Sequence, residues 1–80
     1  MARMGAKTVA EAFGQVLRDC REKAGFTQEG LAGLAEIDRT YVSLLERGLR
    51  QPTLETLFGL ARALGVAPAT MVSRAASVLE

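Results

Sequence analysis

The residues best arranged to do chemistry are Thr40, Ser43, Leu44 and Arg47, with Arg39 just ahead of them. Their spacing of i, i+3, i+4 and i+7 puts the first four on one stripe of an α-helix. Arg39 falls at the exposed N-terminal end of the same segment. The stripe is mostly polar and uncharged, with arginine at each end of the segment. That combination suits hydrogen bonding to the edges of nucleotide bases. It does not suit bond making. The chain has no histidine and a single cysteine, Cys20. The usual zinc sites, Ser/His triads and Cys/His pairs are therefore excluded. No spacing of Asp and Glu sets up a carboxylate pair for acid–base work. The sequence reads as a non-enzyme that needs no metal, cofactor or small-molecule ligand.

A stripe of this kind must be held by neighbouring elements, and the sequence marks five helices. The first opens at Thr8-Val-Ala-Glu11, a capping box with Thr8 as N-cap. Val9, Phe13, Val16, Leu17, Cys20 and Ala24 then trace one helical face, and Gly25 closes it in the left-handed conformation. Arg18, Asp19, Glu22 and Lys23 take the wet side. Cys20 lies on the apolar stripe and reads as a buried core thiol rather than a reactive one. Thr27 caps a second helix, Gln28 to Ala35, with Leu31, Leu34 and Ala35 facing inward. Gly30 and Gly33 weaken it by about 1 kcal/mol each relative to alanine, so packing must hold it.

The third helix runs from Arg39 to Arg47, with Asp38 as N-cap and a stop near Gly48. Val42, Leu45 and Leu49, with part of Tyr41, form its apolar side, opposite the polar stripe. Thr53 caps a fourth helix that carries Leu54, Leu57, Phe58, Leu60, Ala61 and Leu64 and closes at Gly65. Pro68 opens a fifth, at the position where proline is tolerated. The fold class expected is all-α, a five-helix domain.

Eighty residues make one domain. Its expected parts are a flexible tail over 1–7, a four-helix core over 8–66 and a C-terminal helix over 67–80. Composition is globular, at 49% hydrophobic and 24% charged. No apolar run approaches the roughly 20 residues that cross a bilayer. Met1 to Lys7 lacks the apolar core of a secretory signal. These features place the chain in the cytoplasm, away from membranes. The net charge of +1 does not by itself point to nucleic acid. Residues 38–50 carry Arg39, Arg47 and Arg50 against Asp38 and Glu46.

Two longer runs sharpen the picture. Phe13-Gly-Gln-Val-Leu-Arg-Asp-Cys-Arg-Glu-Lys-Ala-Gly-Phe-Thr-Gln-Glu-Gly-Leu-Ala32 resembles the opening of Cro/phage-repressor-type helix-turn-helix regulators, the XRE family. Tyr41-Val-Ser-Leu-Leu-Glu-Arg-Gly48 resembles that family's recognition helix and its exit. Pro52-Thr-Leu-Glu-Thr-Leu57 and Leu60-Ala-Arg-Ala-Leu-Gly-Val66 resemble its fourth helix. The likeness spans roughly residues 10–70 without an insertion. It implies a lambda-repressor-like fold and a transcriptional regulator that binds double-stranded DNA, with restriction-modification controller proteins among the similar compact members.

The resemblance also implies roles. The third helix would enter the major groove with Arg39, Thr40, Ser43 and Leu44 at base edges. Arg39 can fork onto O6 and N7 of guanine, and Leu44 can pack on a thymine methyl or sit half-buried. Gln28, assisted by Thr27, would meet a backbone phosphate at a helix N-terminus. Tyr41, Arg47, Arg50 and Gln51 would contact phosphates beside the groove. Arg21 and Glu46 would form a structural ion pair that fixes the third helix against the first. One departure stands out. Glu36 occupies a turn position that usually holds glycine and often needs φ > 0, at a cost of about 1 kcal/mol for any other residue.

One module reads few base pairs, so a homodimer on a palindromic operator is expected. Met71, Val72, Ala75, Val78 and Leu79 form an apolar stripe on the fifth helix that serves as the expected dimer interface. An antitoxin or another protein-interaction module on the same scaffold is the alternative function.

Overall fold

The computed structural model describes residue 6 and residues 8–79. Of the expected tail, only Ala6 falls within them, and it packs against the core. Five helices follow in order: α1 (Val9–Ala24), α2 (Gln28–Ala35), α3 (Arg39–Glu46), α4 (Leu54–Leu64) and α5 (Pro68–Leu79). There is no strand among the described residues. The all-α, five-helix expectation holds.

The helix starts follow from side-chain caps. Thr8 Oγ1 accepts from the Glu11 amide, and the Glu11 carboxylate accepts from the Thr8 amide, which completes the capping box. Thr27 and Thr53 cap α2 and α4 by accepting from the amides of Gly30 and Thr56. Asp38 departs from expectation. It holds the N-cap position of α3, but its side chain makes no capping hydrogen bond. The third helix also ends at Glu46, one residue before the expected Arg47.

The first four helices close the same way. An amide two residues past the helix, or three in α3, returns to a carbonyl five residues back: Phe26 to Arg21, Ile37 to Ala32, Leu49 to Leu44 and Val66 to Ala61. This doubly bonded end requires a left-handed residue just before it. Gly25, Gly48 and Gly65 supply it in α1, α3 and α4. In α2 the residue is Glu36, at φ 60 and ψ 44, the one non-glycine residue with positive φ among the described residues. The backbone keeps the shape of a glycine turn and accepts the strain of a Cβ there. Glu36→Gly is expected to raise stability by about 0.5–1 kcal/mol, since relief of strain exceeds the added entropy of the unfolded chain. Urea unfolding checks this; an unchanged or lower midpoint refutes it.

The core forms where α1 crosses α3 and α5 while α2 lies against α3 and α4. Leu17, Leu31, Val42, Leu45, Leu60 and Met71 are fully buried at its centre. Cys20 is buried with them, as its place on the stripe implied, and its Sγ accepts from Arg74 Nη1 at 3.4 Å. Four apolar residues expected inside are outside: Val9 and Ala24, which lie at the two ends of α1 where no neighbouring helix covers them, and Leu34 and Leu49. Leu34 is 58% exposed because Leu31 and Ala32 already fill the narrow contact that two turns of α2 can make. Leu49 is 59% exposed because the left-handed turn at Gly48 redirects the chain after Leu45.

The α5 stripe also needs correction. Met71 and Ala75, placed in the expected dimer interface, are buried inside this chain's own core, and Val78 packs partly against it. The small domain has no other layer to cover α1, so α5 spends that face on it. Val72 and Leu79 remain exposed. With Val9, Phe13, Pro52 and Leu57 they line a shallow apolar groove of about 300 Å³.

Candidate nucleic-acid interface

Helix α3 is amphipathic in the sense the stripe required. Val42 and Leu45 are fully buried and anchor it. On its other side Arg39, Thr40 and Arg47 are exposed, while Tyr41, Ser43 and Leu44 are half-buried. Leu44 is half-buried, as the alternative weighed for it has it. Arg50 and Gln51 follow in the exposed segment before α4. The Tyr41 hydroxyl donates to the Gln51 carbonyl at 3.4 Å, which ties that segment back to α3.

The surface has a distinct charge pattern. The ion pairs formed among the described residues are Arg18–Glu22 and Arg21–Glu46. Arg39, Arg47 and Arg50 therefore have no carboxylate partner among the described residues. Three uncompensated guanidinium groups within twelve residues make a local positive field that the net charge of +1 conceals.

The Arg21–Glu46 pair is built as a junction. Arg21 Nε and Nη2 bind the two oxygens of Glu46 at 2.5 and 3.0 Å, in the bidentate geometry of a strong pair. Arg21 Nη1 donates to the Phe26 carbonyl at 2.9 Å. The Gln28 amide donates to Glu46 Oε1 at 3.0 Å. The carboxylate at the end of α3 thus binds α1 and the first turn of α2, and Arg21 in turn binds the turn between them. The hydrogen bonds it donates to Glu46 hold the Arg21 guanidinium above the ordinary arginine range, against the opposing effect of burial. A raised value keeps that contribution present below the unfolded value and removes it only as pH rises through the folded one. Arg21 therefore stays charged throughout any ordinary pH range.

Seven of the ten expected DNA-contacting residues fall into two groups, with Tyr41, Arg50 and Gln51 outside both. Arg39, Thr40, Ser43, Leu44 and Arg47 share the outer side of α3. Thr27 and Gln28 stand at the start of α2, and the Glu46 junction fixes that helix end against α3. Two features escaped sequence reasoning. The Gln28–Glu46 bond joins residues eighteen apart and leaves no local signal. Gly14 sits where α1 meets α3, and a Cβ there would lie 2.5 Å from the Leu45 carbonyl oxygen. A glycine inside a helix was the available signal.

Comparison with known proteins agrees with this architecture. Residues 17–71 match the helix-turn-helix family HTH_3. The chain is 42% identical over 57 residues to the control protein C.BamHI of Bacillus amyloliquefaciens, covering 70% of each chain. It is 43% identical over 53 residues to the uncharacterized HTH-type transcriptional regulator y4dJ of Sinorhizobium fredii, covering 66% of this chain and 69% of that one. Among solved structures, the restriction-modification controller protein C.AhdI of Aeromonas hydrophila superposes with a TM-score of 0.76 at 42% identity, over 78% of this chain and 94% of that one. The clp gene regulator ClgR of Corynebacterium glutamicum superposes with a TM-score of 0.88 at 30% identity, over 99% of this chain and all of that one. With its tight α2–α3 pair, its outward polar stripe and these likenesses, the chain belongs to the XRE-type helix-turn-helix (HTH_3) family of DNA-binding transcriptional regulators.

Proposed function

We propose that this protein reads a palindromic operator in double-stranded DNA as a cytoplasmic homodimer, with α3 in the major groove. The observation that carries the reading is the outer side of α3, where Arg39, Thr40 and Arg47 are exposed, the two arginines have no ion-pair partner among the described residues, and two half-buried readers stand beside them. Arg39 forks onto guanine, Thr40 and Ser43 reach close base edges, and Leu44 packs on a thymine methyl. The first turn of α2, with Thr27 and Gln28, takes one phosphate. Tyr41, Arg47, Arg50 and Gln51 flank the groove and grip others. Two copies set their recognition helices about one DNA turn, roughly 34 Å, apart. Val72 and Leu79 at the α5 groove supply apolar surface for that pairing.

Selection of bound sequences from a random DNA pool tests the whole reading. A palindrome supports it, and the absence of any sequence preference refutes it. Arg39→Ala is expected to weaken operator binding by about 1–3 kcal/mol and to relax specificity at one position. Arg47→Ala is expected to weaken all sequences alike and to flatten the salt slope by about one unit. Gel shifts across a salt series separate the two; equal behaviour of the variants removes Arg39 from the readers. The low net charge favours a second reading, an antitoxin or other protein-interaction module. Wild-type affinity that is the same for operator and scrambled DNA would favour that module.

A further inference from the structure

The outer face of α4 lies apart from both the DNA-reading side of α3 and the α5 groove. Glu55, Phe58, Gly59 and Arg62 follow i, i+3, i+4 and i+7 and so share that face. Phe58 is 55% exposed. With Leu34, it walls an open groove of about 730 Å³ whose rim carries Glu36, Glu55 and Arg62. None of these three charges has an ion-pair partner among the described residues. A Cβ built on Gly59 meets nothing within 4 Å, so the helix backbone is open at the centre of the face.

The order of these residues is self-complementary. Along the helix they run acid, aromatic, glycine, base. A two-fold axis passing between Phe58 and Gly59 would lay two α4 helices antiparallel. Glu55 would then oppose the partner's Arg62, and Phe58 would cover the partner's Gly59. Both ion pairs and both aromatic contacts repeat by symmetry, as an interface between identical surfaces demands. We propose that the outer face of α4 is a homotypic contact between two copies of this chain, with Glu55 and Arg62 setting its register and Phe58 supplying its apolar centre. The exposed aromatic provides affinity, and the opposed charges select the antiparallel arrangement over others. A foreign partner would not need acid and base in this mirrored order. Because this contact is separate from the α5 groove, it can join one dimer to another.

Sedimentation equilibrium of the full chain without DNA, at concentrations up to about 1 mM, tests the contact. A Val72→Glu/Leu79→Glu background removes the proposed α5 pairing through two exposed residues. In that background a monomer–dimer equilibrium is expected. Adding Arg62→Glu sets like charges against each other and is expected to weaken association at least about tenfold. Adding Glu55→Arg as well inverts both charges, restores the match and is expected to recover association to within about threefold. Circular dichroism confirms folding of each variant. A background that stays monomeric overturns the proposal, as does a reversal without effect or a double swap without recovery. A wild-type dimer that survives Val72→Glu/Leu79→Glu but not Arg62→Glu supports the α4 contact and removes the α5 pairing instead.

Discussion

Glu46→Ala is expected to lower the free energy of unfolding by about 3 kcal/mol. Glu46 exposes 4% of its side chain and Arg21 12%. Removing the carboxylate leaves a largely buried guanidinium without its counter-charge, and such losses run at about 3–5 kcal/mol. The small water contact of Arg21 places this case at the lower end. Chains of this size have total stabilities of roughly 4–12 kcal/mol, so the loss is a large share. Urea unfolding measures it. The companion result is sharper: Arg21→Met/Glu46→Leu should recover most of the stability, because apolar residues carry no desolvation penalty. The double variant would still lose the anchor of Gln28, so its DNA affinity should fall although it folds. A Glu46→Ala protein as stable as wild type would show that the junction contributes geometry alone.

Gly14→Ala is expected to be as damaging, at about 3 kcal/mol, the upper end for overpacking a well-filled site. The added Cβ would sit 2.5 Å from the Leu45 carbonyl oxygen and 2.7 Å from that of Glu46. Both are backbone atoms, so no side chain can turn away. The helices must separate, and α3 would tilt on α1 with the recognition stripe it carries. Ordinary helix propensity pulls the other way, since alanine is favoured over glycine by about 1 kcal/mol. Gly33→Ala provides the control. Nothing lies within 4 Å of its Cβ, so it should stabilise the protein by up to about 1 kcal/mol. Thermal unfolding of the two variants should move in opposite directions. Movement in the same direction would mean that propensity, not close approach, governs position 14.

Glu46→Ala and Gly14→Ala bear on function because both act on how α3 is held, not on what it presents. A helix of eight residues such as α3 cannot persist alone. Its orientation comes from Val42 and Leu45 in the core, from the close approach to Gly14 and from the carboxylate at its last residue. The side chains on the outer side of α3 can then vary while the support stays the same.

Local chemistry settled much of this protein before any packing was considered. Threonine caps, terminal glycines and the 3.6-residue apolar period are written in neighbouring residues, so helix number and near-correct boundaries could be read directly, as could the outward stripe of α3. Resemblance in register pointed to the Arg21–Glu46 pair and to positive φ at Glu36, and both are present in the structure. Tertiary structure alone decided which apolar residues are spent inside. Met71 and Ala75 go to the core while Leu34 and Leu49 face water, because periodicity marks a helical face but not how much of it a neighbour reaches. It also decided that Gln28 leans on Glu46 and that two backbones meet at Gly14. Contacts between residues far apart in the chain depend on helix crossing geometry, which no local pattern encodes.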